Sequence, residues 1–196
     1  MDEIASEMEL APATIRRHLD ILQRDALVTF EVMKKRTGRP EHLFLLTDAG
    51  LERLPKGYDR LLDLLLHEVK SFTPKDVSGL PGPKLLEKAF QAMAQRMLLK
   101  HADSLKGKSL EERAQVLAQM LEEQDFQPHV SLEGGRLKLQ LQNCPYRSVA
   151  MSHPEVCQFD ISLIGGMLGV QVSHLSCIAR GDLSCLYTST APGKTT

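Results

Sequence analysis

The spacing of the apolar residues changes along this sequence, and this change limits the possible fold more than any other feature. Helical spacing governs the stretches 2–25 and 58–125, whereas PHVSLEGGRLKLQLQ alternates with a period of two. Separate blocks of helical and strand periodicity predict a soluble α+β fold. Apolar residues make up 42% of the chain and charged residues 25%, as in ordinary globular proteins.

The first part of the chain predicts a helix, a turn, a second helix and a two-stranded hairpin. The helices are expected over Asp2–Met8 and from Pro12 onward, and the strands are ALVTFEV and HLFLLT. Ile15, Leu19 and Leu22 form one predicted buried stripe on the second helix. Ala11 stands where a Ser or Thr N-cap is expected, which weakens the helix start by about 1 kcal/mol.

A helix-turn-helix followed by a two-stranded wing is an arrangement that reads DNA. The segment from Thr14 to His42 holds seven Lys or Arg against four Asp or Glu, a local charge of +3 in a chain whose net charge is −1. That net charge argues against a generally basic coat protein, but not against a local reader. The alternative is a solvated amphipathic helix followed by a charged loop. The candidate DNA contacts are Thr14, Arg16, Arg17, His18, Lys34, Lys35, Arg36 and Arg39.

The stretch SFTPKDVSGLPGP is rich in proline and glycine and is typical of a linker. The predicted organisation is a winged helix-turn-helix over 1–57, a dimerisation helix and linker over 58–83, and a C-terminal sensor domain over 84–190. Two helices, two hairpins and a further helix are expected in the sensor domain. The Leu-rich face of the helix over Tyr58–Phe72 predicts a homodimer interface, with packing inside the chain as the alternative.

All four cysteines lie in the last third of the chain: Cys144, Cys157, Cys177 and Cys185. Soft thiolate ligands select iron–sulfur clusters, zinc or Cu(I). The spacings C-x12-C, C-x19-C and C-x7-C contain no C-x-x-C, so the common zinc-finger and ferredoxin patterns are absent. The alternative is four buried cysteines that act as small apolar residues.

The last predicted hairpin brings two of these cysteines together. A loop at Arg180–Asp182 pairs Ala179 with Leu183 and sets Cys177 opposite Cys185. Cys144 and Cys157 are then expected to close the other side of a metal centre. Other potential ligands near these cysteines are His153, His174, Asp160 and Asp182.

The motifs ATIRRHLDIL, TGRPEHLFLLTDAG and LPKGYDRLLDLLL resemble the SufR-like winged-helix transcriptional regulators, which carry a C-terminal iron–sulfur sensor domain. The resemblance runs from Met1 through Tyr187. It implies a homodimer that binds double-stranded operator DNA and represses iron–sulfur assembly genes. It also implies a further helix before Asp2, so the first helix of the winged domain is expected to be missing from this chain. By the same resemblance, a 4Fe-4S cluster is held by Cys144, Cys157, Cys177 and Cys185.

The sequence carries no Ser-His-Asp set, P-loop, dinucleotide fingerprint or H-E-x-x-H motif, so an enzyme is not expected. Two other readings stay open: a zinc-containing winged-helix regulator that responds to another ligand, and a redox or enzyme module with a winged-helix interaction domain. The acidic start MDEIASEMEL and the lack of a long apolar run predict a cytoplasmic protein without a membrane partner.

Overall fold

The chain combines helices with antiparallel sheets, as the α+β prediction requires. The computed structural model describes residues 2–34, 40–133 and 136–189. It divides into two compact units, Met1–Leu54 (unit 1) and Pro55–Thr196 (unit 2). The segment 58–83, which the sequence sets apart as a dimerisation helix and linker, lies within unit 2.

Unit 1 has a small core beneath one antiparallel strand pair. Ala5, Ile15, Leu19 and Val28 are its buried side chains. The Thr47 hydroxyl donates to the Ala26 carbonyl at 2.6 Å. This hydrogen bond joins the end of β2 to the connection between α2 and β1. The described elements are α1 (Asp2–Glu7), α2 (Pro12–Arg24), β1 (Val28–Met33), β2 (Glu41–Leu46) and α3 (Asp48–Leu51).

Helix α2 begins at Pro12, as predicted, and Ala11 forms its N-cap without a side-chain hydrogen bond. Ile15 and Leu19 are buried, but the expectation for Leu22 is wrong, because this side chain is 36% exposed. Ile15 and Leu19 belong to the buried cluster with Ala5 and Val28, and Leu22 is not part of it. The tip of the hairpin, 35–39, lies outside the described residues.

Unit 2 packs its helices against one sheet around a continuous core. Ser109 followed three residues later by Glu112 is a sequence pattern typical of a capping box, and the box is present, with the Ser109 hydroxyl accepting from the Glu112 amide. The helices are α4 (Tyr58–Ser71), α5 (Pro74–Val77), α6 (Gly82–Leu105), α7 (Leu110–Glu122), α8 (Arg147–Ser152) and α9 (Val156–Leu168). The strands are β3 (Pro128–Glu133), β4 (Arg136–Leu141), β5 (Val172–Ser176) and β6 (Cys185–Ser189).

The two C-terminal strand pairs form one sheet of order β3-β4-β6-β5 rather than two separate hairpins. The joining pair is β4–β6, in which Leu139 lies opposite Tyr187 and Leu141 opposite Cys185. The predicted alternation is confirmed, since Leu137, Leu139 and Leu141 are all buried. The Gly-Gly turn at 134–135 lies outside the described residues.

A helix is expected over His153–Leu168 and is present as α9, but it begins three residues later, at Val156. The separate helix α8 ends at Ser152, because Pro154 has no backbone N–H with which to continue it. One other local prediction for the last third is wrong. The expected pairing of Ala179 with Leu183 is absent, because Ile178–Arg180 forms a short 3-10 helix between β5 and β6.

The described helices are too short or too polar to cross a bilayer.

Candidate functional site

The predicted DNA contacts on α2 lie at the surface of unit 1. Arg16, Arg17 and His18 are exposed, and Thr14 is half-buried. Lys34 follows β1 and is exposed. Lys35, Arg36 and Arg39 lie outside the described residues.

The four cysteines of unit 2 come from four separate parts of the fold. Cys144 lies in the loop between β4 and α8, and Cys157 is the second residue of α9. Cys177 follows the last residue of β5, and Cys185 is the first residue of β6. All four are free thiols, and only Cys157 is more than marginally accessible. The pairing of β4 with β6 places Cys185 beside the strand that leads to Cys144.

Cys177 lies at the centre of this group. Its Sγ lies 4.0 Å from the Sγ of Cys157. Ligand atoms of His174, Cys177 and Cys185 all lie within 4.8 Å of one another. The structure therefore brings together a His/Cys group that could bind a metal ion.

Backbone amides point at three of the sulfur atoms. The amide of Ile178 donates to Cys185 Sγ at 3.4 Å. Hydrogen bonds from the amides of Tyr146 and Ala179 favour the thiolates of Cys144 and Cys177, respectively. Such donors stabilise sulfur in its anionic form, which is the form that binds metals.

The acidities of the thiols differ strongly. Hydrogen bonds from the Cys157 and Cys185 thiols hold the pKa of Cys177 well below its usual range. The same hydrogen bonds, together with burial, raise the pKa values of Cys157 and Cys185. Burial raises the pKa of Cys144 to about 12, and the charge of Asp160 adds to this rise. A bound metal would supply positive charge that favours the thiolate form of these cysteines.

His174, which the sequence offers as an additional potential ligand, is a member of this group. Its ring stacks on Tyr187 with centroids 4.4 Å apart and an interplanar angle of 5°. Its Nε2 is buried and has no hydrogen-bond partner among the described residues. The sequence carries a signal for this position, since alternation along VSHLS puts Val172, His174 and Ser176 on one face of β5.

The other potential ligands fall into different places. Asp160 lies on α9 and is 7% exposed, and burial raises its pKa to about 8. Asp182 acts as a turn residue, because its Oδ2 accepts from the amide of Cys177 at 2.7 Å. His153 is an exposed residue at the end of α8.

No protein-family model and no curated protein matches the chain. Among solved structures, the crystal structure of an H-NOX protein from S. oneidensis in the Fe(II)NO ligation state is similar with a TM-score of 0.39 and 16% identity. The match covers 70% of this chain and 91% of the H-NOX chain. A similarity at this level supports no conclusion about fold or function.

Proposed function

We propose that this protein is a DNA-binding transcriptional regulator that senses metal or redox status through the cysteine group of unit 2. The observation that carries the proposal is the grouping of Cys157, Cys177, Cys185 and His174 around Cys177, with Cys144 close enough for the charge of Cys177 to raise its pKa. Buried cysteines serving as small apolar residues need neither an amide donor aimed at sulfur nor an imidazole whose buried Nε2 lacks a partner among the described residues. Repression of iron–sulfur assembly genes is the regulatory role we propose.

The metal centre we propose first is an iron–sulfur cluster held by the four cysteines. Four thiolates are the usual protein ligands of such clusters, and imidazole replaces thiolate in some of them. A bound cluster supplies a redox centre that oxidants can alter. The protein's own contribution is to bury three sulfurs from solvent and to direct amides at them. His174 offers an additional ligand atom on the same side as Cys177 and Cys185.

The distance between Cys157 and Cys177 favours a second candidate, a single zinc ion. With Zn–S bonds of about 2.3 Å in a tetrahedron, two sulfur ligands lie about 3.8 Å apart. The observed Sγ–Sγ distance of 4.0 Å is close to that value. A Cys3His site formed with Cys185 and His174 would leave Cys144 outside the zinc coordination shell.

Unit 1 would supply the DNA contacts as a winged helix. The exposed side chains of Arg16 and Arg17 on α2 are suited to guanine edges or phosphates, and Lys34 begins the basic loop between β1 and β2. Contacts from this loop to phosphates make binding depend on salt.

Helix α4 would form a homodimer interface. Leu62, Leu66 and Val69 are 56%, 49% and 51% exposed and share one face of the helix. An antiparallel pairing of two copies about Leu66 places Leu62 opposite the partner's Val69. The same pairing brings Asp63 near the partner's Lys70, so the charges flanking the apolar face are complementary. A dimer also suits the palindromic sites that helix-turn-helix proteins bind.

The experiment is selection of binding sites from a random duplex library with the full chain, followed by affinity measurements at several salt concentrations. We expect a palindromic site, and we expect Arg16→Ala to weaken binding by about tenfold or more. Arg24→Ala is the matched control, because Arg24 lies on the same helix but its guanidinium pairs with Asp25 at 3.2 Å. Absence of any duplex binding would contradict the regulator and favour a redox module.

A further inference from the structure

The loop that carries Cys144 is hydrogen-bonded to the first residues of unit 2. The side-chain amide of Asn143 donates to the Pro55 carbonyl at 2.9 Å. The amide of Gly57 donates to the carbonyl of Pro145 at 3.2 Å. These two bonds hold the backbone on either side of Cys144.

A third contact fixes the start of α4. The hydroxyl groups of Tyr58 and Ser148 lie 2.8 Å apart, and the amide of Ser148 donates to the Tyr58 hydroxyl at 3.3 Å. The loop 143–148 and the segment 55–58 are therefore joined at three points, and the last of these is exposed to solvent.

Packing leaves little room between the two segments. Tyr146 is completely buried, and a Cβ added at Gly57 would lie 3.2 Å from its Cε1. The ring of Tyr146 also meets the ring of Phe126 edge-on, with centroids 5.6 Å apart. A displacement of the Cys144 loop must therefore displace Gly57 as well.

The position of segment 55–58 in the chain gives this contact its significance. Pro55 follows Leu54, the last residue of unit 1, directly in sequence. Tyr58 is the first residue of α4, which carries the proposed dimer face. One short segment is thus hydrogen-bonded to the loop that carries Cys144 and continues covalently into α4 on one side and into unit 1 on the other.

We propose that segment 55–58 is the element that transmits the state of the metal centre, with Asn143 and Tyr58 as positioning residues. This inference rests on the proposed function and specifies its regulation. Metal binding at Cys144 orders the loop 143–148, and the three hydrogen-bonded points then fix segment 55–58. Loss of the metal releases the loop 143–148. Segment 55–58 is then no longer held in the position that favours operator binding.

The test is hydrogen exchange at the amide of Gly57 in the full-length protein, with and without bound metal. We expect metal to slow this exchange by about tenfold or more, because the acceptor carbonyl of Pro145 lies next to Cys144. The amide of Arg113, which donates to the Ser109 carbonyl at 2.9 Å in α7, is the internal control and should not change. Equal exchange of Gly57 in the two states would overturn the inference.

A second arm uses Tyr58→Phe, which removes a single hydroxyl from the junction. We expect unchanged metal content, loss of most of the metal-dependent protection of Gly57, and DNA affinity that no longer depends on metal. Ser104→Ala is the matched control, because it removes a hydroxyl that donates to the His101 carbonyl at 2.7 Å outside the junction.

The outcomes separate the two proposals. Wild-type protein whose DNA affinity responds to metal while Gly57 exchange does not would overturn the transmission route alone. A Tyr58→Phe protein that retains the full metal dependence of DNA binding would likewise overturn the transmission route. Metal-dependent protection of Gly57 in a protein that binds no duplex DNA would contradict the regulator but support the coupling.

Discussion

The Sγ atoms of Cys157 and Cys177 lie 4.0 Å apart, although 20 residues separate them in the sequence. A disulfide would require the two sulfurs to close to about 2.05 Å. We expect the same two thiols that would hold a metal to form this disulfide when the metal is absent.

We predict that hydrogen peroxide oxidises the metal-free protein at Cys157 and Cys177. Hydrogen bonds from Cys157 and Cys185 lower the pKa of Cys177 and so favour its reactive thiolate form, and Cys157 is the most accessible of the four. Two thiols and one peroxide molecule give one disulfide and two water molecules. Peptide mapping by mass spectrometry should find this pair, and metal-loaded protein should resist the reaction. A dominant disulfide involving Cys144 would contradict the geometry.

Asp160 predicts a pH dependence of stability in the metal-free, reduced protein. Burial raises its pKa from 3.8 to about 8. Between these values the folded protein keeps a proton that the unfolded chain has released. This group therefore makes the free energy of unfolding fall as pH rises, by up to about 1.4 kcal/mol per pH unit. The lowered pKa of Cys177 acts in the opposite direction over the same range.

A comparison of wild type with Asp160→Asn separates the pH dependence of stability that comes from the Asp160 carboxyl from the part that comes from Cys177. Urea unfolding at pH 5, 6, 7 and 8 should show the variant gaining stability relative to wild type at each step. Asp103→Asn on α6 serves as an exposed control. A wild-type-minus-variant difference that is constant with pH would refute the assignment.

Gly50 is required in unit 1 because α3 closely approaches the backbone of Leu27, the residue before β1. A Cβ at Gly50 would collide with the backbone carbonyl of Leu27. We expect Gly50→Ala to destabilise unit 1 by about 1–3 kcal/mol. Gly82→Ala is the matched control, since its Cβ would meet no atom within 4 Å. Proteolysis within unit 1 should accelerate only in Gly50→Ala, and equal rates in both variants would refute the packing argument.

The exposed face of α4 predicts how the oligomer can be broken. Leu66→Glu puts a charge at the centre of the proposed antiparallel pairing, so a monomer is expected in sedimentation velocity. Leu99→Glu is the control, because Leu99 is 77% exposed on α6, away from the α4 face. A Leu66→Glu protein that remains dimeric would show that this face is not the interface.

Local pattern was enough to predict much of this fold. The alternating leucines of β4, the proline at the start of α2 and the capping box of α7 each act within a few residues. Each of these features depends on interactions between residues a few positions apart, so the local sequence is sufficient to predict it.

The errors lie where distant segments decide the structure. The β4–β6 pairing that makes one sheet of two strand pairs depends on residues about 45 positions apart, and no turn connects them. The 3-10 helix at Ile178 replaced a hairpin turn, because the Cys177 amide is held by Asp182 and the Ile178 amide by Cys185. For the same reason, the local sequence does not show that His174 is held beside the cysteines, since its stacking partner Tyr187 lies on another strand.

The most direct test of the metal centre is the absorption spectrum and the iron, sulfide and zinc content of anaerobically purified protein. We predict a broad band near 400 nm and stoichiometric iron and sulfide. Cys177→Ser should lose both, whereas Ser184→Ala, which removes a hydroxyl on the connection to β6, should retain them. Colourless protein with one zinc per chain would contradict the cluster and establish the zinc site. Colourless protein without any metal would contradict the sensor altogether.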